Sequence, residues 1–240
     1  MAKPAGRNRT GISGSAFDDY ATPADLLLPS TNSLSKLRTD AAADSEVMGS
    51  IPGARTFKGV AKSAFAALRG QRAAVLIDKL GQRAAFERTG TRLYEGLLSK
   101  HDAFGSFPGG PMREELEVMR VEELKHFHLC VEAIESIGGD PTAVTPSANR
   151  DGVLAGSLIQ IVTDPRTRLG DCLEAALTAE LVDNDGWTQL IEVAGTLLHI
   201  SLATAFTKAL AQEVDHLKKI RGWVSTYIRN EANARSNEQA

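Results

Sequence analysis

Cysteine is scarce. The 240 residues hold two, Cys130 and Cys172, far apart and in no Cys-x-x-Cys pair. A disulfide framework and a four-thiolate iron site are both excluded within this chain. Charge of one sign is also missing: the net charge is −3 and both signs are interspersed. No basic tract suits a phosphate backbone, so nucleic acid is not an expected partner. No apolar run is long enough to cross a bilayer, so no membrane association is expected either. The opening MAKPAGRNRTGISGS lacks an apolar signal core. Nothing there directs export, and a cytoplasmic location is the expectation.

The length suits one large domain or two small ones. Residues 1–68 are rich in Ser, Gly, Pro, Ala and Asp, with apolar islands at 26–28 and 57–65. They show no long 3.6-residue period before Lys62. A mostly irregular arm is expected, with room for a short amphipathic helix at its end. Such an arm could wrap a partner subunit or carry an address. Residues 69–228 carry four helical patterns, and 229–240 are expected to be a flexible tail. The first helix, about 70–101, presents Leu76, Leu80, Ala84, Glu87, Thr91, Tyr94 and Leu98 on one stripe. The run FGSFPGGP (104–111) breaks it. The second, about 112–138, presents Leu116, Met119, Glu123, His126, Cys130 and Ile137, and GGDP (138–141) stops it. Residues 142–168 form a long crossover in which 153–162 suits a short buried helix. A third helix over 169–194 carries Leu173, Ala176, Glu180, Trp187 and Ile191. After a turn at 195–201, a fourth over 202–228 carries Phe206, Ala209, Glu213, His216, Ile220 and Trp223. Two tight hairpins joined by one long crossover predict an all-α four-helix bundle of the one-crossover kind.

The inward stripes contain the chemistry. Glu123 and His126 are three residues apart, as are Glu213 and His216, so each pair points to nearly one side of its helix. Glu87 and Glu123 lie equally far from Gly105 in the first turn. Glu180 and Glu213 have their midpoint between Thr196 and Leu197, inside the second. Residues equidistant from a turn sit at one height along a bundle. Each hairpin can therefore offer two Glu and one His in the same layer. Glu174 competes with Glu180 for the third-helix position, but it lies off the common face and breaks the height match. Asp183, one turn after Glu180, is either a neighbour of the site or an ordinary polar group, and the run Asp183, Asn184, Asp185 before an apolar segment has no evident reason. His128 points away from His126, His199 falls beside the second turn, and His101 ends the first helix, where a cation suits the dipole. Cys130 is expected to be a small core residue.

Four carboxylates in one core repel each other and cost several kcal/mol each to desolvate. Two divalent ions would cancel their charge. Mixed oxygen and nitrogen donors suit iron or manganese and admit zinc. The halves also echo each other in aromatics: Glu87-x6-Tyr94 matches Glu180-x6-Trp187. Tyr94 and Trp187 are either walls that orient a carboxylate or ordinary core residues.

The segments AFERTGTRLYEGL (85–97), VEELKHFHL (121–129), LEAALTAELVDN (173–184) and AQEVDHLKK (211–219) resemble the ferritin-like superfamily. These are the carboxylate-bridged di-iron proteins that include ferritins, bacterioferritins and rubrerythrins. The resemblance covers about 70–228. It implies a ferritin-like bundle with Glu87, Glu123, His126, Glu180, Glu213 and His216 as metal ligands. Two iron ions are the implied cofactor, with manganese the alternative. Tyr94 resembles the aromatic seven residues past the first ligand in bacterioferritins and is the candidate catalytic residue. The implied activity is that of an oxidoreductase using peroxide or dioxygen, ferroxidase- or peroxidase-like, with Glu123 and Glu213 bridging and Glu87 and Glu180 terminal. The electron donor is not indicated. An oxygenase acting on an organic molecule, or a non-enzymatic metal-binding or cargo module, remains open beside it. The chain departs from rubrerythrins in lacking a Cys-rich electron-transfer domain, and from cage ferritins in its arm and its longer crossover. A homodimer is expected rather than a 24-subunit shell.

Overall fold

The computed structural model describes residues 31–45 and 72–237. Among them are six helices and no strand: α1 (Thr31–Asp44), α2 (Arg72–Phe104), α3 (Arg113–Ser136), α4 (Pro146–Thr163), α5 (Leu169–Thr196) and α6 (Ile200–Asn237). None is long and apolar enough to cross a membrane. The chain divides into two units, Met1–Val47 and Met48–Ala240.

The described part of the first unit is α1, held locally by Lys36 Nζ at 2.7 Å from Asp40 Oδ2, one turn apart. It falls in the segment expected to be mostly irregular. Its described side chains are exposed, so it needs no apolar stripe and leaves no 3.6-residue signature. The apolar islands at 26–28 and 57–65 lie outside the described residues.

In the second unit α2, α3, α5 and α6 form the four-helix bundle and α4 is the crossover. The two hairpins close on left-handed residues. Gly105 has φ +72° at the end of α2, and Leu198 has φ 62° between α5 and α6. Leu198 occupies a position where glycine is usual, at a cost of about 1–2 kcal/mol. His199 N donates to Ala194 O at 2.9 Å and Leu198 N to Gly195 O at 3.0 Å, which closes the turn.

The crossover is a full helix, seven residues longer at its start than the sequence pattern indicates. Thr145 accepts from Ala148 N as its N-cap and Pro146 opens its first turn. Its 18 residues span roughly 27 Å. It lies along α2 and is pinned at both ends. Near its start, Ser147 N and Oγ donate to Asp78 at 2.9 and 2.6 Å; near its end, Lys100 Nζ donates to Asp164 O at 2.5 Å. Numbers rise together along both helices, so α4 runs parallel to α2 and returns the chain the length of the bundle. Gly81 and Gly96 permit the close approach: a Cβ at either would lie 2.7 Å from Thr145 Oγ1 or Val162 Cγ2. Covering by α4 also explains why α2 buries a second row, Phe86, Leu93 and Leu97, beyond the expected stripe.

The fourth bundle helix runs on to Asn237, with 231–236 exposed. The flexible tail expected over 229–240 is therefore helical as far as it is described. The apolar core is in two parts. One holds Leu97, Leu116, Met119, Leu173, Ile220 and Trp223; the other holds Leu76, Leu80, Cys130, Trp187, Leu190 and Phe206. On every bundle helix a buried glutamate lies where the two parts meet, joined by a histidine on α3 and on α6.

Candidate metal centre

Glu87 of α2, Glu123 and His126 of α3, Glu180 of α5, and Glu213 and His216 of α6 meet between the two apolar clusters, each at most 3% exposed. They form two overlapping groups, Glu87–Glu123–His126–Glu213 and Glu123–Glu180–Glu213–His216, with donor atoms within 4.8 Å in each. Glu123 and Glu213 belong to both. The two oxygens of Glu213 diverge: Oε1 lies 2.5 Å from His126 Nδ1 and Oε2 lies 3.3 Å from His216 Nδ1. His126 Nδ1 is also 3.7 Å from Glu87 Oε2, and His216 Nδ1 is 3.4 Å from Glu123 Oε1 and 3.9 Å from Glu180 Oε2. The imidazole centroids stand 6.4 Å apart. All six expected ligands are brought together. Glu174, the rival for the third helix, is exposed, as is His128.

The donor set fits a pair of cations. Both oxygens of Glu123 and Glu213, Glu87 Oε2, Glu180 Oε2 and both histidine Nδ1 atoms are buried without a hydrogen-bond partner. Orphaned buried acceptors cost several kcal/mol unless an ion or water completes them. Two donors bonded to one ion at about 2.1 Å stand roughly 3.0–3.4 Å apart, and His216 Nδ1 already stands at that spacing from Glu213 Oε2 and Glu123 Oε1, at 3.3 and 3.4 Å. Gly90 gives Glu123 its room, because a methyl there would overlap Oε2.

Charge makes the same point. Asp183 joins the four glutamates in the interior, and Arg83, 3% exposed, sits against them. Arg83 Nη1 is 2.8 Å from Asp183 Oδ1 and Nε is 3.0 Å from Glu87 Oε1. Two divalent ions and Arg83 carry the five positive charges that match five carboxylates. Without ions the cluster holds protons. Burial pushes Glu87, Glu180 and Asp183 well above the usual carboxylate range, with neighbouring carboxylates adding to it. Burial and Glu213 raise Glu123 also. Glu213 is the exception: burial alone would raise it, but the two histidines outweigh burial and hold it at about 2. Both histidines are raised despite burial, by the carboxylates they face.

A second layer orients the first. Nε2 of His216 lies 2.8 Å from Glu122 Oε2, and Nε2 of His126 lies 3.0 Å from Gln212 Oε1. Gln212 Nε2 in turn donates to Glu122 Oε1 at 2.6 Å. With Nε2 protonated toward these acceptors, each Nδ1 is left as a free donor into the centre. Tyr94 Oη donates to Glu180 Oε1. Asn184 donates to Glu213 O of α6 at 3.0 Å and to Glu180 O, one turn back on its own helix, at 2.9 Å. The polar run on α5 is thereby explained: Asp183 meets Arg83, Asn184 ties α5 to α6, and Asp185 is exposed.

Glu122, Gln212 and Arg83 were not legible as site residues from helical phase. A signal does exist for them. Glu122 and Gln212 each immediately precede the glutamate of a Glu-x-x-His pair, and Arg83 lies one turn before Glu87 on the same face. Trp187, completely buried, meets His126 edge-on at 5.5 Å between centroids. Its fluorescence should therefore be quenched as Co(II) fills the centre. In Trp187→Phe the residual emission of Trp223 should lose most of that response in a titration.

Fold and site together define a four-helix bundle bearing a carboxylate/histidine two-metal motif. Residues 110–229 match the ferritin-like domain family. The chain belongs to that family. A crystal structure of ferritin-like, diiron-carboxylate proteins from Bacillus anthracis str. Ames is similar over 65% of this chain and 99% of that one, at 19% identity and a TM-score of 0.49. No curated protein matches the chain.

Proposed function

We propose that the chain is a di-metal oxidoreductase in which two ferrous ions, or manganous ions in their place, react with peroxide or dioxygen. The observation that carries this reading is the set of eight carboxylate and imidazole atoms, buried without a hydrogen-bond partner, on six side chains that converge in one layer. Glu123 and Glu213 would bridge the pair, Glu87 and Glu180 would bind one ion each, and His126 and His216 would supply one nitrogen each. Bound as a pair, the ions supply one electron each, which matches the two that cleavage of a peroxide O–O bond requires.

The chain's own share is arrangement and exclusion of bulk water. The apolar clusters on either side keep the layer dry, which strengthens every electrostatic contact within it. Glu122 and Gln212 fix the imidazole tautomers. Tyr94 Oη is the hydroxyl that reaches the layer, and it holds Glu180 by one oxygen so that the other faces the cluster. Burial pushes its phenol well above the ordinary range, so it stays protonated as a donor.

The test is anaerobic loading with Fe(II), followed by rapid mixing with peroxide and with oxygen. Two ions per chain and fast oxidation are expected. Failure to oxidise with either reactant would remove the redox reading. In Tyr94→Phe, two ions should still bind while oxidation slows roughly tenfold or more. Unchanged kinetics would reduce Tyr94 to a core residue.

A further inference from the structure

We infer that the two metal positions are unequal, the one at Glu180 and His216 binding its ion more tightly than the one at Glu87 and His126. The inference rests on the two-metal reading above. The primary donors are matched, because each position has one terminal glutamate and one imidazole and both share Glu123 and Glu213. The difference stands behind them.

Behind His216 is a carboxylate, Glu122, at 2.8 Å; behind His126 is a neutral amide, Gln212, at 3.0 Å. A carboxylate accepting the far N–H of an imidazole makes the near nitrogen a stronger donor and adds negative charge to that side. The terminal glutamates differ in the same direction. Glu180 accepts from the uncharged hydroxyl of Tyr94. Glu87 Oε1 instead has the guanidinium of Arg83 at 3.0 Å, a cation that competes for that oxygen and does not deprotonate. Asp183 offsets the charge of Arg83 as a whole, but it takes Nη1 and leaves the Nε edge against Glu87. Gly186 makes this possible, since a Cβ there would overlap Arg83 Nη1.

Two binding steps in the native protein would not be sufficient proof, because the first ion repels the second even at identical positions. Single-position variants avoid this. Co(II) is titrated calorimetrically into full-length Glu87→Gln, which keeps the His216 side, and into Glu180→Gln, which keeps the His126 side. The first should bind one ion at least about tenfold more tightly than the second. Adding Glu122→Gln should weaken binding about 10–100-fold in the Glu87→Gln background and change it little in the Glu180→Gln background. The pair Arg83→Met with Asp183→Asn removes the guanidinium without stranding an acid. In the Glu180→Gln background, where Glu87 is intact, it should tighten binding roughly tenfold. Equal affinity in the two single-position variants, or the reverse order, overturns the inference while the two-metal reading stands. Absence of Co(II) binding by the native chain overturns both.

Discussion

Removing the metals should lower the thermal midpoint by roughly 15–30 °C, and the loss should grow as pH rises from 6 to 8. An ion present at about 1,000 times its Kd contributes about 4 kcal/mol to the folded state. Two such ions, in a domain of this size, account for a shift of that order. The pH dependence follows from the protons the metal-free cluster retains. Glu87, Glu180 and Asp183 have folded pKa values above their unfolded ones. The folded chain therefore holds protons that the unfolded chain releases from about pH 4 upward, and stability declines as pH rises through that window. His126 and His216 are raised as well, so their contribution is complete below about 6.5 and is lost above it. Both sets act in one direction between pH 5 and 8. Ions displace these protons, so the loaded protein gains affinity over the same range. The measurement is a pair of melting curves, chelated and loaded, at several pH values. A gap that narrows toward pH 8 would contradict the account.

Gly90→Ala should abolish binding at both positions and leave the helices intact. Alanine is the better helix former by about 1 kcal/mol, so α2 itself is not weakened. The added methyl would overlap Glu123 Oε2. Glu123 must then turn or withdraw, and it belongs to both ligand groups. Affinity for each ion should fall by more than about 100-fold, beyond the usual effect of a supporting residue. Circular dichroism of the metal-free variant should match the parent. Gly156→Ala on α4, where nothing lies within 4 Å of the new carbon, is the control and should bind normally. Retention of two tightly bound ions by Gly90→Ala would show that Glu123 is dispensable.

The four bundle helices, both hairpin turns and the convergence of six side chains were legible because one face of each helix carries a 3.6-residue stripe and both turns have a glycine near the midpoint of the ligands. Glu180 could be preferred over Glu174 on phase and height alone, and the exposed position of Glu174 agrees. What phase could not supply was contact across helices. Glu122 and Gln212 sit off the main stripes, yet each reaches a histidine of the opposite hairpin. Arg83 is inside because Gly186, on another helix, leaves it a place, which spacing along one helix does not show. The second buried row of α2 needed a fifth helix to cover it, and the start of α4 was hidden because its first turns bury Ser147, Ala148 and Asp151 rather than an apolar stripe.

The shared glutamates have a kinetic consequence. Glu87 and Glu213 are separated by more than half the chain, and neither hairpin alone assembles a complete ligand group. Full coordination of either ion would therefore follow docking of the hairpins during folding, and each bound ion would act as a clasp to be released before the halves can part.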